Sequence, residues 1–284
     1  ALDLGAKAEG EWVGEMGFIW PAPASATVTA KVPSRVQVLT RDTFAKARDA
    51  GHPATGQLLS WMACDLARRI RRSSELARHN EGSGPAHLEP QLQALHGHVR
   101  QDVQVAWVPA SARGHTVKGS DEDILKAFES AGAFQVSGPG SEAYAEAVRT
   151  DLRRLAPQMG LQHHEDGEVI TREGQPADGV FVVLEGQVRV QAGSPDAWFH
   201  VDRLLDPGST FGEIAFFDNG VRSATCTAAG SVRLAVIYPA AVKDLIRGGE
   251  QGTAVGLHLM ELFTRQLVMD ARRLNEAISE RLTA

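Results

Sequence analysis

Residues 211–225 read FGEIAFFDNGVRSAT, and this stretch indicates the fold more strongly than any other part of the sequence. Glu213 and Arg222 stand at the two ends of a short apolar turn within it. A carboxylate accepts hydrogen bonds from ribose hydroxyls, and a guanidinium offers phosphate oxygens a planar fork of donors. Gly212 lets the backbone approach a ligand closely, and a helical turn beginning at Glu213 would aim free backbone N–H groups at an anion. The stretch therefore offers the groups needed to hold a small cyclic phosphate.

The same stretch closely resembles the phosphate-binding cassette of the cyclic-nucleotide-binding domain family, of the catabolite activator protein and cyclic-AMP-dependent kinase regulatory subunit type. The family pattern is Phe-Gly-Glu, an aliphatic residue, Ala, six variable residues, Arg, a small residue, Ala, and Thr or Ser. Residues 211–225 match this pattern without an insertion. The resemblance implies that Glu213 binds the ribose 2′-hydroxyl, that Arg222 binds the cyclic phosphate and that Ser223 adds a hydroxyl. The ligand-binding set that it implies is Gly212, Glu213, Ile214, Ala215, Arg222, Ser223 and Ala224. The implied ligand is cyclic AMP or cyclic GMP, and cyclic AMP is favoured.

The flanks of the cassette read as short strands separated by glycines. Residues 167–174, 179–190 and 232–237 are rich in β-branched residues, which favour strands. Residues 239–246 suit a short helix with Pro239 in its first turn. From Thr253 onward apolar residues recur three or four positions apart, which predicts one long amphipathic helix. Residues 142–284 therefore correspond to the family's whole domain, a jelly-roll-like β-roll with flanking helices in the α+β or mainly β class.

The resemblance implies a signalling role for that terminal helix, which folds over the ligand as a lid in this family. Its apolar stripe consists of Leu257, Met260, Phe263, Leu267, Ala271, Leu274, Ile278 and Leu282. The first part of the stripe can cover the roll and the purine. The part beyond Ala271 extends past one small roll, so we expect it to meet another helix, either in a homodimer or in an upstream domain.

The N-terminal segment repeats the cassette at a fixed offset. Residues 13–28 align without a gap to residues 211–226, with Gly14, Glu15 and Phe18 matching Gly212, Glu213 and Phe216, and the register continues into the next predicted strand. Residues 1–78 therefore resemble the second half of another such domain, with helices predicted at 41–49 and 55–78, and give a tandem repeat. The front half of that copy is absent, so either the sequence is a piece of a longer protein or a partner supplies the missing strands.

This first copy is predicted to be degenerate as a binding site. Ala24 occupies the position of the cassette arginine, so no guanidinium is available for a phosphate. Losing one charge-assisted contact costs on the order of 2–3 kcal/mol. We therefore expect the first copy not to bind cyclic nucleotide as the second does, although Glu15 leaves a ribose contact possible.

Composition and the middle of the chain set the remaining limits. The formal net charge of −6 gives no nucleic-acid footprint, and no apolar run approaches the length of a membrane span. Cys64 and Cys226 are far apart in sequence and require no oxidising compartment, so we predict a cytoplasmic protein.

Residues 79–141 form a linker or small insert of unknown function. Within it, residues 103–108 suit a strand, and a helix is predicted from Ser120 through Ala131.

Two alternatives to a cyclic-nucleotide sensor remain open at this stage. A cupin-like metal enzyme would use a similar roll, and His163-His164-Glu165 offers metal-ligating side chains. Adjacent side chains in a strand point to opposite faces, however, which disfavours a shared metal and leads us to predict no enzyme activity. The other alternative is a non-binding interaction or oligomerisation module with a vestigial cassette. No DNA-recognition helix follows the terminal helix in this sequence, so no nucleic-acid partner is expected.

Overall fold

The protein, seen in a computed structural model, is an antiparallel β-roll surrounded by helices. The structure describes residues 7, 9–21, 23–24, 26–79, 116–117, 121–131, 141–156, 159–194, 200–218, 220–238 and 254–283. The described strands are β1 (Thr116–Val117), β2 (Met159–His164), β3 (Val169–Thr171), β4 (Val180–Ala192), β5 (Val201–Leu205), β6 (Thr210–Phe211) and β7 (Thr225–Ile237). They form one sheet in the order β1-β2-β7-β4-β5, in which β3 also pairs with β7 and β6 with β4. The predicted roll with flanking helices is confirmed.

The two long strands β4 and β7 form the centre of the roll. They pair antiparallel from Val180 opposite Ile237 to Gln191 opposite Thr225. The register shifts on both sides of Glu185, where Gly186 has a φ of 75° and a Cβ would overlap the Ser231 carbonyl oxygen. Such a bulge bends a strand pair and increases its twist, which helps the sheet to close into a roll. The interior core contains Phe181, Val183, Val188, Val190, Leu205, Phe211, Cys226, Ala228, Val232, Leu234 and Val236.

Helices cover the outer face of the sheet. The described helices are α1 (Glu15–Ile19), α2 (Arg41–Asp49), α3 (Ala54–His79), α4 (Asp121–Ser130), α5 (Ser141–Leu155), α6 (Glu213–Phe217) and α7 (Ala254–Thr283). The apolar faces of α3, α4, α5 and α7 share one core with the sheet, and this core includes the fully buried Leu66, Phe128, Leu152 and Phe263. The helices predicted for α2, α3, α4 and α7 are confirmed. The stripe of α7 is buried from Leu257 to Ile278.

The long helix α3 runs from the N-terminal segment onto the roll. It packs against α7 and against α6, so it contacts both the terminal helix and the cassette. Leu66, Ala67 and Ile70 belong to the same core as Phe216 and Phe217 of the cassette helix. The N-terminal segment is thus attached directly to the element that carries Glu213.

The N-terminal repeat is reproduced only in part. Gly14 precedes α1 with φ 85° and ψ 9°, and Gly212 precedes α6 with φ 88° and ψ 0°, so the two turns share one backbone shape. The strand expected after α1 is absent, because residues 26–40 have no hydrogen-bonded neighbour strand in the described part of the chain. Val36 and Val38 are 80% and 77% exposed, whereas their counterparts Leu234 and Val236 are 0% and 2% exposed in β7.

The middle of the chain contributes to the same sheet as the roll. In β1, Thr116 pairs with Gln162 of β2, and α4 packs into the shared core. The strand predicted at 103–108 and the short helix predicted at 239–246 lie outside the described residues. Among the helices that the structure describes, none has the combination of length and apolar character needed to cross a bilayer.

Candidate functional site

The backbone of the cassette is a sharp turn between β6 and α6. Gly212 makes this turn with φ 88°, and a Cβ at this position would overlap Nη1 of Arg222. Glycine is therefore required both for the left-handed backbone and for the close approach of the guanidinium. Ala215 is buried beneath the turn, while Ile214 packs against the outer core.

Glu213 is a buried carboxylate at the start of α6. It is 2% exposed, and its Oε2 has no hydrogen-bond partner among the described residues. Burial raises the pKa of Glu213 to about 8, and the negative charge of Asp270 adds to this effect, while Arg203 and Arg222 oppose it. A buried carboxyl oxygen without a partner is costly to a folded protein, and such a group is available to a ligand donor.

Arg222 is a buried guanidinium at the other end of the cassette. It is 3% exposed and donates from Nη2 to Asp178 Oδ1 at 2.6 Å and to the Gly179 carbonyl at 2.8 Å. Nη1 donates to the Gly212 carbonyl at 3.3 Å, and Cζ lies 5.2 Å from the centroid of the Phe181 ring. These hydrogen bonds use three of the five N–H donors that a guanidinium has, and one acceptor is already an anion. The position is therefore built to hold negative charge.

The other predicted site residues follow the same turn. Ser223 and Ala224 lie between Arg222 and the start of β7, both partly buried, and Ala224 packs against the interior core. The structure thus brings Gly212, Glu213, Arg222 and Ser223 into one segment joined by α6 and the following loop. Whether these residues contact a ligand remains a prediction.

Two charged residues near Glu213 were missed by the sequence reasoning. Arg203 of β5 pairs with Asp270 of α7, with Nη1 2.7 Å from Oδ1 and Nη2 3.0 Å from Oδ2. Gln266 adds a donor to Asp270 Oδ1 at 3.0 Å. Burial raises the pKa of Asp270, whereas Arg203 lowers it. One signal was present in the sequence, because Asp270 interrupts the apolar stripe of α7 between Leu267 and Leu274.

At the N-terminal turn that was predicted to be a degenerate cassette, a buried glutamate is paired with an arginine of α3. Glu15 is buried at the start of α1, as Glu213 is at the start of α6. Its carboxylate accepts a hydrogen bond from Nη2 of Arg69, which α3 supplies from 54 residues downstream. Ala24, at the position of the cassette arginine, is exposed. A side chain of the same protein thus provides the guanidinium that the motif lacks, and it binds the glutamate rather than leaving a space for phosphate.

The histidines considered as metal ligands lie on opposite faces of β2. His163 is exposed and hydrogen-bonds Ser231 at 3.0 Å, whereas His164 is buried and hydrogen-bonds Gln162 at 3.1 Å. Within the described part of the chain, no group of three or more His, Cys, Asp or Glu side chains is arranged to hold a metal ion.

Comparison with known proteins finds one family model and several relatives that match part of the chain. Residues 161–248 match the family model of the cyclic nucleotide-binding domain. A cyclic nucleotide-gated potassium channel of Mesorhizobium japonicum is 36% identical over 38% of this chain and 25% of its own length. A CRP-like cAMP-activated global transcriptional regulator of Mycobacterium tuberculosis is 25% identical over 45% of this chain and 54% of its own length. The cAMP-dependent protein kinase regulatory subunit of Dictyostelium discoideum is 39% identical over 27% of this chain and 24% of its own length.

A solved structure gives the same kind of match. The cyclic nucleotide-binding domain from Methylobacillus flagellatus aligns at a TM-score of 0.43 and 21% identity, covering 58% of this chain and 85% of that one. The matched segments span about half or less of the three curated relatives. Residues 161–248 thus match the cyclic nucleotide-binding domain, and the three curated relatives are one channel and two regulatory proteins.

Proposed function

We propose that the roll is a sensor that binds one purine cyclic nucleotide in the cassette of residues 211–225. The observation that carries the proposal is the pair of almost fully buried polar side chains, the carboxyl of Glu213 and the guanidinium of Arg222, at the two ends of one turn. Burying a polar group is unfavourable unless it is hydrogen-bonded, and Oε2 of Glu213 has no hydrogen-bond partner among the described residues, so the arrangement favours a binding role over a packing role.

In the proposed complex each group has a defined role. Arg222 binds the cyclic phosphate with the donors that remain after its bonds to Asp178, Gly179 and Gly212. Glu213 accepts the ribose 2′-hydroxyl at Oε2, the oxygen that has no hydrogen-bond partner among the described residues. Ser223 adds a hydroxyl beside the phosphate, and Gly212, Ile214, Ala215 and Ala224 shape the turn around it. Cyclic AMP is the favoured ligand over cyclic GMP, and the selection of the base is assigned to α7.

Removing the guanidinium tests the proposal directly. Arg222→Ala is expected to weaken the binding of cyclic AMP about 100-fold, because a charge-assisted contact to phosphate is lost. Arg189→Ala is the matched control, since Arg189 lies on β4 of the same roll but is exposed and pairs with Asp202. Calorimetric titration of both variants with cyclic AMP and cyclic GMP measures the affinity and the selectivity together. Equal affinity of wild type and Arg222→Ala would exclude the assigned role.

Failure of the wild-type protein to bind either nucleotide would favour a different class of function. The protein would then be an interaction or oligomerisation module whose cassette is structural. Light scattering of the same samples, with and without nucleotide, gives the oligomeric state in which such a module works and tests the homodimer expected through α7.

A further inference from the structure

The cassette is held from outside the roll by one side chain of α3. Arg71 donates from Nε to Asp218 Oδ2 and from Nη2 to Asp218 Oδ1 at 3.1 Å. The same Nη2 donates to the Val221 carbonyl oxygen at 2.6 Å. All three hydrogen bonds reach the segment between Glu213 and Arg222. A residue 147 positions upstream of Asp218 therefore fixes the part of the cassette that joins the two proposed ligand-binding charges.

Asp218 is not an ordinary surface partner for Arg71. The Asp218 side chain is 3% exposed, and its backbone N–H bonds the Ile214 carbonyl at the end of α6. Its Oδ1 also accepts from the Gly220 N–H at 2.9 Å. The carboxylate therefore connects the end of α6 to the following turn, and a fork of guanidinium donors fixes its orientation.

The peptide group just before the Arg222 side chain is held on both sides. Its carbonyl oxygen, from Val221, accepts from Arg71, and its N–H, from Arg222, donates to the Gln175 carbonyl at 2.8 Å. Because both ends of this peptide group are hydrogen-bonded, its plane is fixed. The Cα atom of Arg222, which carries the side chain, lies in that plane. The direction of the phosphate-binding side chain thus depends on a donor of α3 as well as on the roll.

The packing around Arg71 leaves little room for another arrangement. A Cβ at Gly220 would lie 2.7 Å from Nη2 and 2.8 Å from Cζ of Arg71, so a larger residue there would displace the guanidinium. The adjacent Ile70, one residue before Arg71, is buried in the core that contains Phe216 and Phe217. Because α3 is anchored there, Arg71 is presented to the turn by a fixed helix and not by a mobile loop.

From this geometry we infer that Arg71 is a positioning residue for the ligand, which sets the affinity of the cassette from α3 by holding the Asp218 carboxylate and the Val221 carbonyl oxygen. The inference rests on the proposed function, since it assigns Arg71 a role toward the same ligand. Linkage makes the effect reciprocal, so a nucleotide bound in the cassette strengthens the attachment of α3 by the same factor. The N-terminal segment and the binding site are thereby coupled through one ion pair.

The test compares three substitutions in the full chain. Arg71→Ala removes the guanidinium that donates two hydrogen bonds to Asp218. Arg71→Lys keeps the positive charge but cannot donate to both carboxylate oxygens as a planar guanidinium does. Arg72→Ala is the matched control at the next position of the same helix. We expect Arg71→Ala to weaken the binding of cyclic AMP at least tenfold, Arg71→Lys to give a smaller loss, and Arg72→Ala to stay within twofold of wild type. Calorimetry gives the affinities, and Arg71→Lys keeps the test decisive if Arg71→Ala does not fold.

A second measurement without ligand separates positioning from mere stabilisation. Amide hydrogen exchange in the free protein is expected to rise at residues 220–222 in Arg71→Ala, while exchange in β4 and β7 stays as in wild type. A uniform rise across the roll would overturn the inference, because it would show general destabilisation. Wild-type affinity in both Arg71 variants would also overturn it and would leave the proposed function intact. A wild-type protein that binds no cyclic nucleotide would instead overturn the proposed function and, with it, the role of Arg71 toward a ligand.

Discussion

Glu213 and Asp270 are two buried carboxyls, and the negative charge of Asp270 acts on Glu213. Both carboxyls are buried, and burial raises the pKa of each. Asp270 has donors from Arg203 and Gln266, whereas Oε2 of Glu213 has none in the described part of the chain. The raised pKa therefore favours the protonated form of Glu213 at neutral pH, and in that form the ribose hydroxyl of a ligand meets a carboxylic acid unless binding releases the proton.

The raised pKa of Glu213 predicts a specific dependence of stability on pH. Between its ordinary value of 4.5 and about 8, the folded protein holds a proton that the unfolded chain has released. The unfolded state then binds fewer protons, so the free energy of unfolding falls as pH rises through this window. Glu213→Gln is expected to remove the part of the fall that comes from Glu213, on the order of 2 kcal/mol between pH 6 and pH 8.

Urea unfolding at several pH values measures this difference. Glu276→Gln is a suitable control, since Glu276 is exposed on the last turns of α7. Parallel pH profiles for wild type and Glu213→Gln would contradict the assignment of the proton to Glu213.

The contrast between Glu213 and Arg71 shows what the sequence could predict at this scale. Gly212, Glu213 and Arg222 lie within one short motif, so their proximity follows from local spacing alone. Arg203 pairs with Asp270 across 67 residues, and Arg71 pairs with Asp218 across 147. Such pairs depend on how helices dock on the roll, which no local pattern encodes.

Among the elements, α7 is the one that connects the cassette to the rest of the molecule. On the side of the roll, Asp270 of α7 pairs with Arg203 of β5. On the other side, Glu261 lies 3.3 Å from Nη1 of Arg48 in α2, and Cζ of Arg265 lies 4.6 Å from the centroid of the Trp20 ring. Periodicity predicted the helix and its buried stripe, but these polar partners lie in other elements and depend on tertiary packing.

This arrangement predicts that ligand binding changes the protection of α7. A ligand moves a helix only through its differential affinity for two positions, and typical coupling is about 1–3 kcal/mol. Amide exchange in residues 254–283 is therefore expected to slow about 5- to 150-fold at saturating cyclic AMP. Residues 41–49 of α2 serve as the internal reference. Equal exchange of α7 with and without ligand would leave the domain a passive binder without a lid.

At the scale of the whole molecule, the N-terminal repeat is the feature that sequence and structure describe differently. The repeat predicted a cassette-like turn followed by a strand, and the turn is present with the backbone shape of Gly212. The strand is not formed, and a valine such as Val36 lies exposed where β7 buries Leu234. Strand pairing needs hydrogen bonds from neighbouring strands, whereas a helical turn makes its backbone hydrogen bonds within its own residues. A repeat therefore predicts local shape more safely than it predicts a sheet.

The repeat leads to a prediction about stoichiometry. Calorimetric titration of the whole chain is expected to give one cyclic AMP per chain, because the first copy has Ala24 where a guanidinium is needed and Arg69 already binds Glu15. Ala24→Arg alone is expected to leave the stoichiometry at one, since Glu15 would still be paired with Arg69. Combining Ala24→Arg with Arg69→Ala leaves Glu15 without its arginine partner. The double variant therefore tests whether the first copy is disabled by the missing guanidinium at position 24 or by the pairing of Glu15 with Arg69. Two equivalent sites in the wild-type protein would contradict this prediction. They would show that neither Ala24 nor the pairing of Glu15 with Arg69 prevents the first copy from binding, so that the second cassette would not be the only sensor.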